Sequence, residues 1–146
     1  MKNHIRFQFD DDGDGTGALQ VEFHADGFAG RGHGYFDTER LIRQLDAFSA
    51  YPLSAGNPPE ITSGFLNSLG EMEDEHFHFS VFPVDATGHL VASIRVVSPY
   101  SVASDTLRHS ASVKLRTTYA GIERLVADMQ AMLRGELSEV LLEADG

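Results

Sequence analysis

The chain has 146 residues, with 22 acidic side chains against 11 basic ones, a net charge of −11 and no cysteine. That length suits one domain, 1–146, with a core that buries roughly 68–70% of the unfolded surface and needs no disulfides. The charge opposes direct binding to nucleic acid phosphates or anionic lipid and favours encounter with basic partners, while the missing thiols exclude cysteine nucleophiles, thiolate metal sites and redox switching.

The start, Met1-Lys2-Asn3-His4-Ile5-Arg6, lacks the apolar run of a signal peptide, and no stretch approaches the ~20 apolar residues of a membrane span. A soluble cytoplasmic protein is expected. Ile5, Phe7 and Phe9 alternate with Arg6 and Gln8, which is the period of a half-buried strand. A polar turn, Asp10 to Gly17, then leads into a second strand, where Leu19, Val21, Phe23 and Ala25 alternate with Gln20, Glu22, His24 and Asp26. The two strands are expected to form a hairpin.

In the segment Gly27 to Phe36, Gly30, Gly32 and Gly34 recur at every second position, so a strand here has one flat face. That face is either open to close backbone approach, including pairing with a second copy, or covered by side chains from elsewhere in the chain. It is no phosphate-binding loop, because no Lys-Ser/Thr follows.

Asp37 or Thr38 can cap a first helix whose inner stripe is Leu41, Ile42, Leu45 and Phe48, with Glu39 and Arg43 as i,i+4 partners. Pro52 and Asn57-Pro58-Pro59 end it and begin a linker. Ile61 to Leu69 is weakly patterned and reads as a short strand. An acidic run, Glu71-Met72-Glu73-Asp74-Glu75, leads into a clear hairpin: Phe77, Phe79 and Val81, a turn at Asp85-Ala86-Thr87-Gly88, then Leu90, Ala92, Ile94 and Val96. A polar loop is expected from Ser98 to Thr106, and a strand from His109 to Arg116 with Ala111, Val113 and Leu115 inward. The second helix turns Tyr119, Ile122, Leu125, Val126, Met129 and Leu133 inward, and Gly135 can stand just past its end. Ser138 to Ala144 reads equally well as a strand or a short helix, which leaves the segment 136–146 unassigned.

Both helices contain Glu-Arg-Leu, at Glu39-Arg40-Leu41 and Glu123-Arg124-Leu125, and both follow strand-like segments. The fold class is therefore α+β, mostly antiparallel, in one sheet or two, with two helices packed on one side. The order strands-helix-strands-helix suggests a pseudo-duplication with halves 1–51 and 59–135.

Candidate chemistry is sparse. Asp10-Asp11-Asp12-Gly13-Asp14-Gly15 has the opening of a calcium loop, but Val21 stands where the bidentate glutamate belongs, with Glu22 one place late, so an exposed turn is the better reading. His76 and His78 project from one face of a strand as two zinc ligands would, with His89, His109 or a member of Glu71 to Glu75 as the alternative third. Solvated histidines explain the pair as well. No Gly-x-Ser-x-Gly elbow surrounds Ser63 or Ser68, and no carboxylate sits alone in an apolar run, so neither nucleophile nor general base is indicated. No catalytic residue, metal or cofactor is expected. What remains is a surface for a basic protein, with Asp10, Asp12, Asp14, Glu71, Glu73, Asp74 and Glu75 as the candidate contacts, alongside wet strand faces bearing Gln20, Glu22, His24, Arg31 and His33.

The stretch Val21-Glu22-Phe23-His24-Ala25-Asp26-Gly27-Phe28-Ala29-Gly30, the helix Leu41 to Phe48, the turn Thr87-Gly88-His89 into Leu90-Val91-Ala92 and a last helix opening on Tyr119 form a pattern spanning Ala18 to Met132. In that pattern the chain resembles the WapI-type bacterial immunity proteins and related families found beside secreted toxins. The resemblance implies a non-enzymatic cytoplasmic protein that masks a cognate toxin without a cofactor. With the acidic surface, the expected partner is a basic toxin such as a nuclease, and the protein itself a monomer or homodimer. Gly32 and Gly34 depart from it, since such proteins carry larger residues there.

Overall fold

In the computed structural model, which describes residues 2–98 and 108–144, eight strands form two antiparallel sheets and two helices complete the core. Strands β1 (His4–Asp11), β2 (Thr16–Ala25) and β3 (Phe28–Asp37) run directly into α1 (Thr38–Leu45), followed by a 3-10 turn, Asp46–Ser49. Next come β4 (Glu60–Leu66), β5 (Met72–Pro83), β6 (His89–Val97), β7 (Ser110–Thr118), α2 (Tyr119–Leu133) and β8 (Val140–Glu143). The first sheet has the order β3-β2-β1-β8 and the second β4-β5-β6-β7.

The alternation of apolar residues sets which face each strand buries. Phe7 and Phe79, from facing sheets, meet edge to face at 5.5 Å, and Phe48 from the 3-10 turn stacks on Phe79 at 5.6 Å. One buried cluster includes Ile5, Leu19, Leu41, Phe77, Ile94, Leu125 and Met129, so both halves of the chain share a core. The Glu-Arg-Leu helices each turn their leucine into it, Leu41 and Leu125. They also pack on each other, where the Gln130 amide donates to the Ile42 carbonyl and to Asp46.

The glycines of β3 are covered from within. Ser63, Phe77, Val96 and Ala111 lie side by side across β4, β5, β6 and β7 in the register of the second sheet. A Cβ on Gly30 would lie 2.6 Å from Ala111, one on Gly32 2.6 Å from Val96, and one on Gly34 2.7 Å from Ser63 and 3.0 Å from Phe77. β3 therefore runs across the second sheet along one row of side chains, and only glycine lets it lie that close. The face is not available to a second copy.

Three boundaries differ from the reading of the sequence. β1 and β2 continue into the supposed turn, which shrinks to residues 12–15. The acidic run lies within β5 from Met72 onward instead of preceding the hairpin. Ser138 to Ala144 supplies β8, which pairs antiparallel with the start of β1, and this return of the second half to the first sheet breaks the pseudo-duplication. The expected loop from Ser98 to Thr106 lies, after Ser98, outside the described residues.

Caps follow the expected chemistry. The Asp37 carboxylate accepts from the Arg40 amide at 2.9 Å, and the Thr118 hydroxyl accepts from Gly121 at 3.1 Å. Gly135, with φ of +83°, ends α2, and the Glu136 amide reaches back to the Ala131 carbonyl. The β5–β6 turn is held by Asp85, whose carboxylate accepts from the Thr87 hydroxyl and from His89. These bonds, the Thr87 hydroxyl foremost, hold that carboxyl well below the usual range.

Candidate docking surface

The β4–β5 hairpin ends in a turn organised by Asn67. Its side-chain oxygen accepts from the Leu69 amide at 2.9 Å and the Glu71 amide at 3.0 Å, while Gly70 takes φ of +79°. Register shifts at Ser63/Gly64 and Phe65/Leu66 interrupt the strand alternation on the way to the tip. As a result the tip carries apolar side chains in solvent: Phe65 is 55% exposed, Leu66 60%, Leu69 80% and Met72 40%. An apolar group of this size beside a turn marks an interaction site more readily than scattered exposed residues do.

Phe65 is fixed in place. Its ring stands edge-on to His76 at 4.7 Å, His76 bonds the Asp74 carboxylate at 2.7 Å, and the other oxygen of that carboxylate receives Arg108 at 2.5 Å. On the opposite flank, a groove of about 450 Å³ separates the tip from α1, with Leu66, Met72, Tyr35, Arg40 and Gln44 on its walls. Ser63 ties the hairpin to β3 by accepting from the Tyr35 amide and donating to its carbonyl, each at 3.0 Å.

The seven candidate acids divide accordingly. Glu71 and Glu73 are exposed beside the apolar tip and Glu75 is half-buried. Asp74 is corrected from docking residue to internal brace: its side chain is only 15% exposed and both oxygens are engaged within the chain. The second cluster lies at the β1–β2 turn, which adjoins the same end of β3, because the Thr38 amide donates to the Gly15 carbonyl at 2.9 Å and Thr16 pairs with Asp37. Asp12 is exposed there, Asp14 closes the turn on the Thr16 amide and hydroxyl, and Asp10 bonds Gln20. The Thr16 hydroxyl is the main reason the Asp14 carboxyl is held below its ordinary range. The β1–β2 turn and the apolar tip of the β4–β5 hairpin thus both border one stretch, Tyr35 to Arg40.

Neither metal reading gains a ligand set, since no group of three potential ligands converges among the described residues. His76 and His78 turn to separate carboxylates, Asp74 and Glu60, and His89 to Asp85. The wet residues Glu22, His24 and Arg31 do gather on the outer face of the first sheet, over a shallow cavity of about 780 Å³. Among these charges, Glu22 receives Arg6 at 2.7 Å and Arg31 at 2.9 Å, and Lys2 lies 4.0 Å from Glu143. The apolar tip escaped the sequence reading. Its signal was the adjacent pair Phe65-Leu66, with Leu69 and Met72 around the Asn67 to Gly70 turn.

Comparisons with protein-family models, with curated proteins and with solved structures return no match. No helix among the described residues is long and apolar enough to cross a membrane.

Proposed function

We propose that the protein is a non-catalytic binding domain that docks a basic protein through the β4–β5 hairpin tip, as a cytoplasmic immunity protein masks a toxin. The observation that carries this reading is the meeting of solvent-facing Phe65, Leu66, Leu69 and Met72 with the exposed acids Glu71 and Glu73. Apolar anchors supply most of the binding energy at such a surface, and the acidic rim steers a partner of opposite charge. The net charge of −11 acts in the same direction at longer range. The immunity role rests on the family resemblance together with this surface.

The test is co-expression with the polypeptide encoded beside this gene. The neighbour alone should arrest growth, the pair should not, and the purified complex should weaken at least tenfold between about 50 and 500 mM salt as screening removes the steering charge. A harmless neighbour, or a complex indifferent to salt, would sink the proposal.

A further inference from the structure

The groove of about 450 Å³ between the hairpin tip and α1 has two walls of different chemistry. On the hairpin side, Leu66 and Met72 face each other across β4 and β5, 60% and 40% exposed. Gly64 makes room for the thioether, since a Cβ at that position would stand 2.8 Å from the Met72 sulfur. On the helix side, Arg40 and Gln44 lie one turn apart on α1 and so share a face, next to the capping residue Asp37.

Both walls are anchored. Ser63 bonds the Tyr35 amide and carbonyl at 3.0 Å, while α1 is held by its Asp37 cap and by the Gln130 amide on the Ile42 carbonyl. The groove is therefore preformed, and its volume falls within the roughly 300–1,000 Å³ of sites that enclose an organic group.

Its charges select the occupant. Arg40 forms no ion pair among the described residues. Asp37 commits one carboxylate oxygen to the Arg40 amide, and the other makes no hydrogen bond among them. A cationic side chain would meet Arg40, and a carboxylate would meet Asp37 and the net charge of −11. A neutral aromatic ring suits both walls: its face attracts a guanidinium, its edge packs on a thioether sulfur, and a ring N–H can donate to Asp37 or Gln44.

We propose that this groove receives a tryptophan side chain of the partner that docks on the hairpin tip. The ring lies between Arg40 and the Leu66–Met72 pair, and its N–H points to the acceptors of α1. In the complex the ring belongs to the basic partner, and to that extent the assignment rests on the docking reading. The groove itself is a property of the free chain.

The probe is N-acetyl-tryptophanamide, titrated into the free chain and followed by the methyl NMR signals of Leu66 and Met72. Both should shift and saturate together, with a dissociation constant on the order of 1 mM, as suits one side-chain analogue. N-acetyl-leucinamide and N-acetyl-argininamide should bind about fivefold more weakly or less, because neither offers a ring face to Arg40. Arg40→Gln, which removes only the cation, should weaken the tryptophan analogue by about threefold. Leu66→Ser should abolish the shift at Met72 while the fold, checked by circular dichroism, stays intact at so exposed a position. Phe28→Ser, at an exposed aromatic on the other end of β3, should change nothing. Equal affinity for the leucine analogue would reduce the groove to a plain apolar patch, and tighter binding of the arginine analogue would make it a cation site. Shifts that bypass Leu66 and Met72 would put the ring elsewhere, and any of these three results overturns the assignment. No partner is present in the titration, so they would leave the docking reading standing, whereas a harmless neighbouring gene product would sink that reading and not the groove.

Discussion

Phe79→Ala should cost about 3–5 kcal/mol of folding stability, the range for deleting a fully buried phenylalanine. Phe79 is 1% exposed and joins three parts of the molecule, meeting Phe7 of the first sheet, Phe48 of the 3-10 turn and the aliphatic interior of its own sheet. Removing its ring leaves a cavity that two sheets would have to close from opposite sides, and neither can move without disturbing its ladder. Domains of this size have about 5–15 kcal/mol in total, so the variant should be marginal at 37 °C. Urea unfolding followed by circular dichroism measures the loss. A change below about 1.5 kcal/mol would mean that the sheets do not meet at this ring.

Gly32→Val should cost about 3 kcal/mol, the upper end for overpacking in a well-filled core. The new Cβ would stand 2.6 Å from the Val96 Cβ. Rotamer changes cannot relieve that clash, because both atoms are set by backbone, so β3 must rise from the second sheet. Gly56→Ala serves as the control, since an added Cβ there meets only the Ser54 hydroxyl, at 4.0 Å. The control should stay within about 0.5 kcal/mol of the parent, as surface substitutions do. A Gly32→Val protein as stable as the parent would show that the glycine stripe is not a packing device.

The glycine stripe shows what a sequence can and cannot carry. Period-two spacing of Gly30, Gly32 and Gly34 announces that one strand face must be flat, and it is. It does not say what lies against that face, because the row Ser63, Phe77, Val96 and Ala111 comes from four other strands. Strands with clean alternation, such as Phe77, Phe79 and Val81, were legible for the same reason that they are buried on one side. β8 was not, because four residues are too few for a period to be distinguished. The candidate site divides similarly. Glu71 and Glu73 could be read from composition, whereas the withdrawal of Asp74 depends on Arg108, 34 positions away, and on a histidine that looked like a metal ligand. The apolar tip was hidden because two register shifts break the alternation there and turn residues outward that an unbroken strand would have buried.

If a basic partner docks on the hairpin tip, Leu69→Asp should break the complex without harming the fold. Leu69 is 80% exposed, so the substitution should leave the melting temperature of the free protein unchanged. Calorimetric titration against the neighbouring gene's product should show affinity reduced by about a hundredfold, the effect of losing one apolar anchor of roughly 2–3 kcal/mol. Glu73→Lys should act with it, weakening binding further and flattening its salt dependence. A Leu69→Asp protein that binds with the parent's affinity would mean that the partner docks elsewhere than on the hairpin tip.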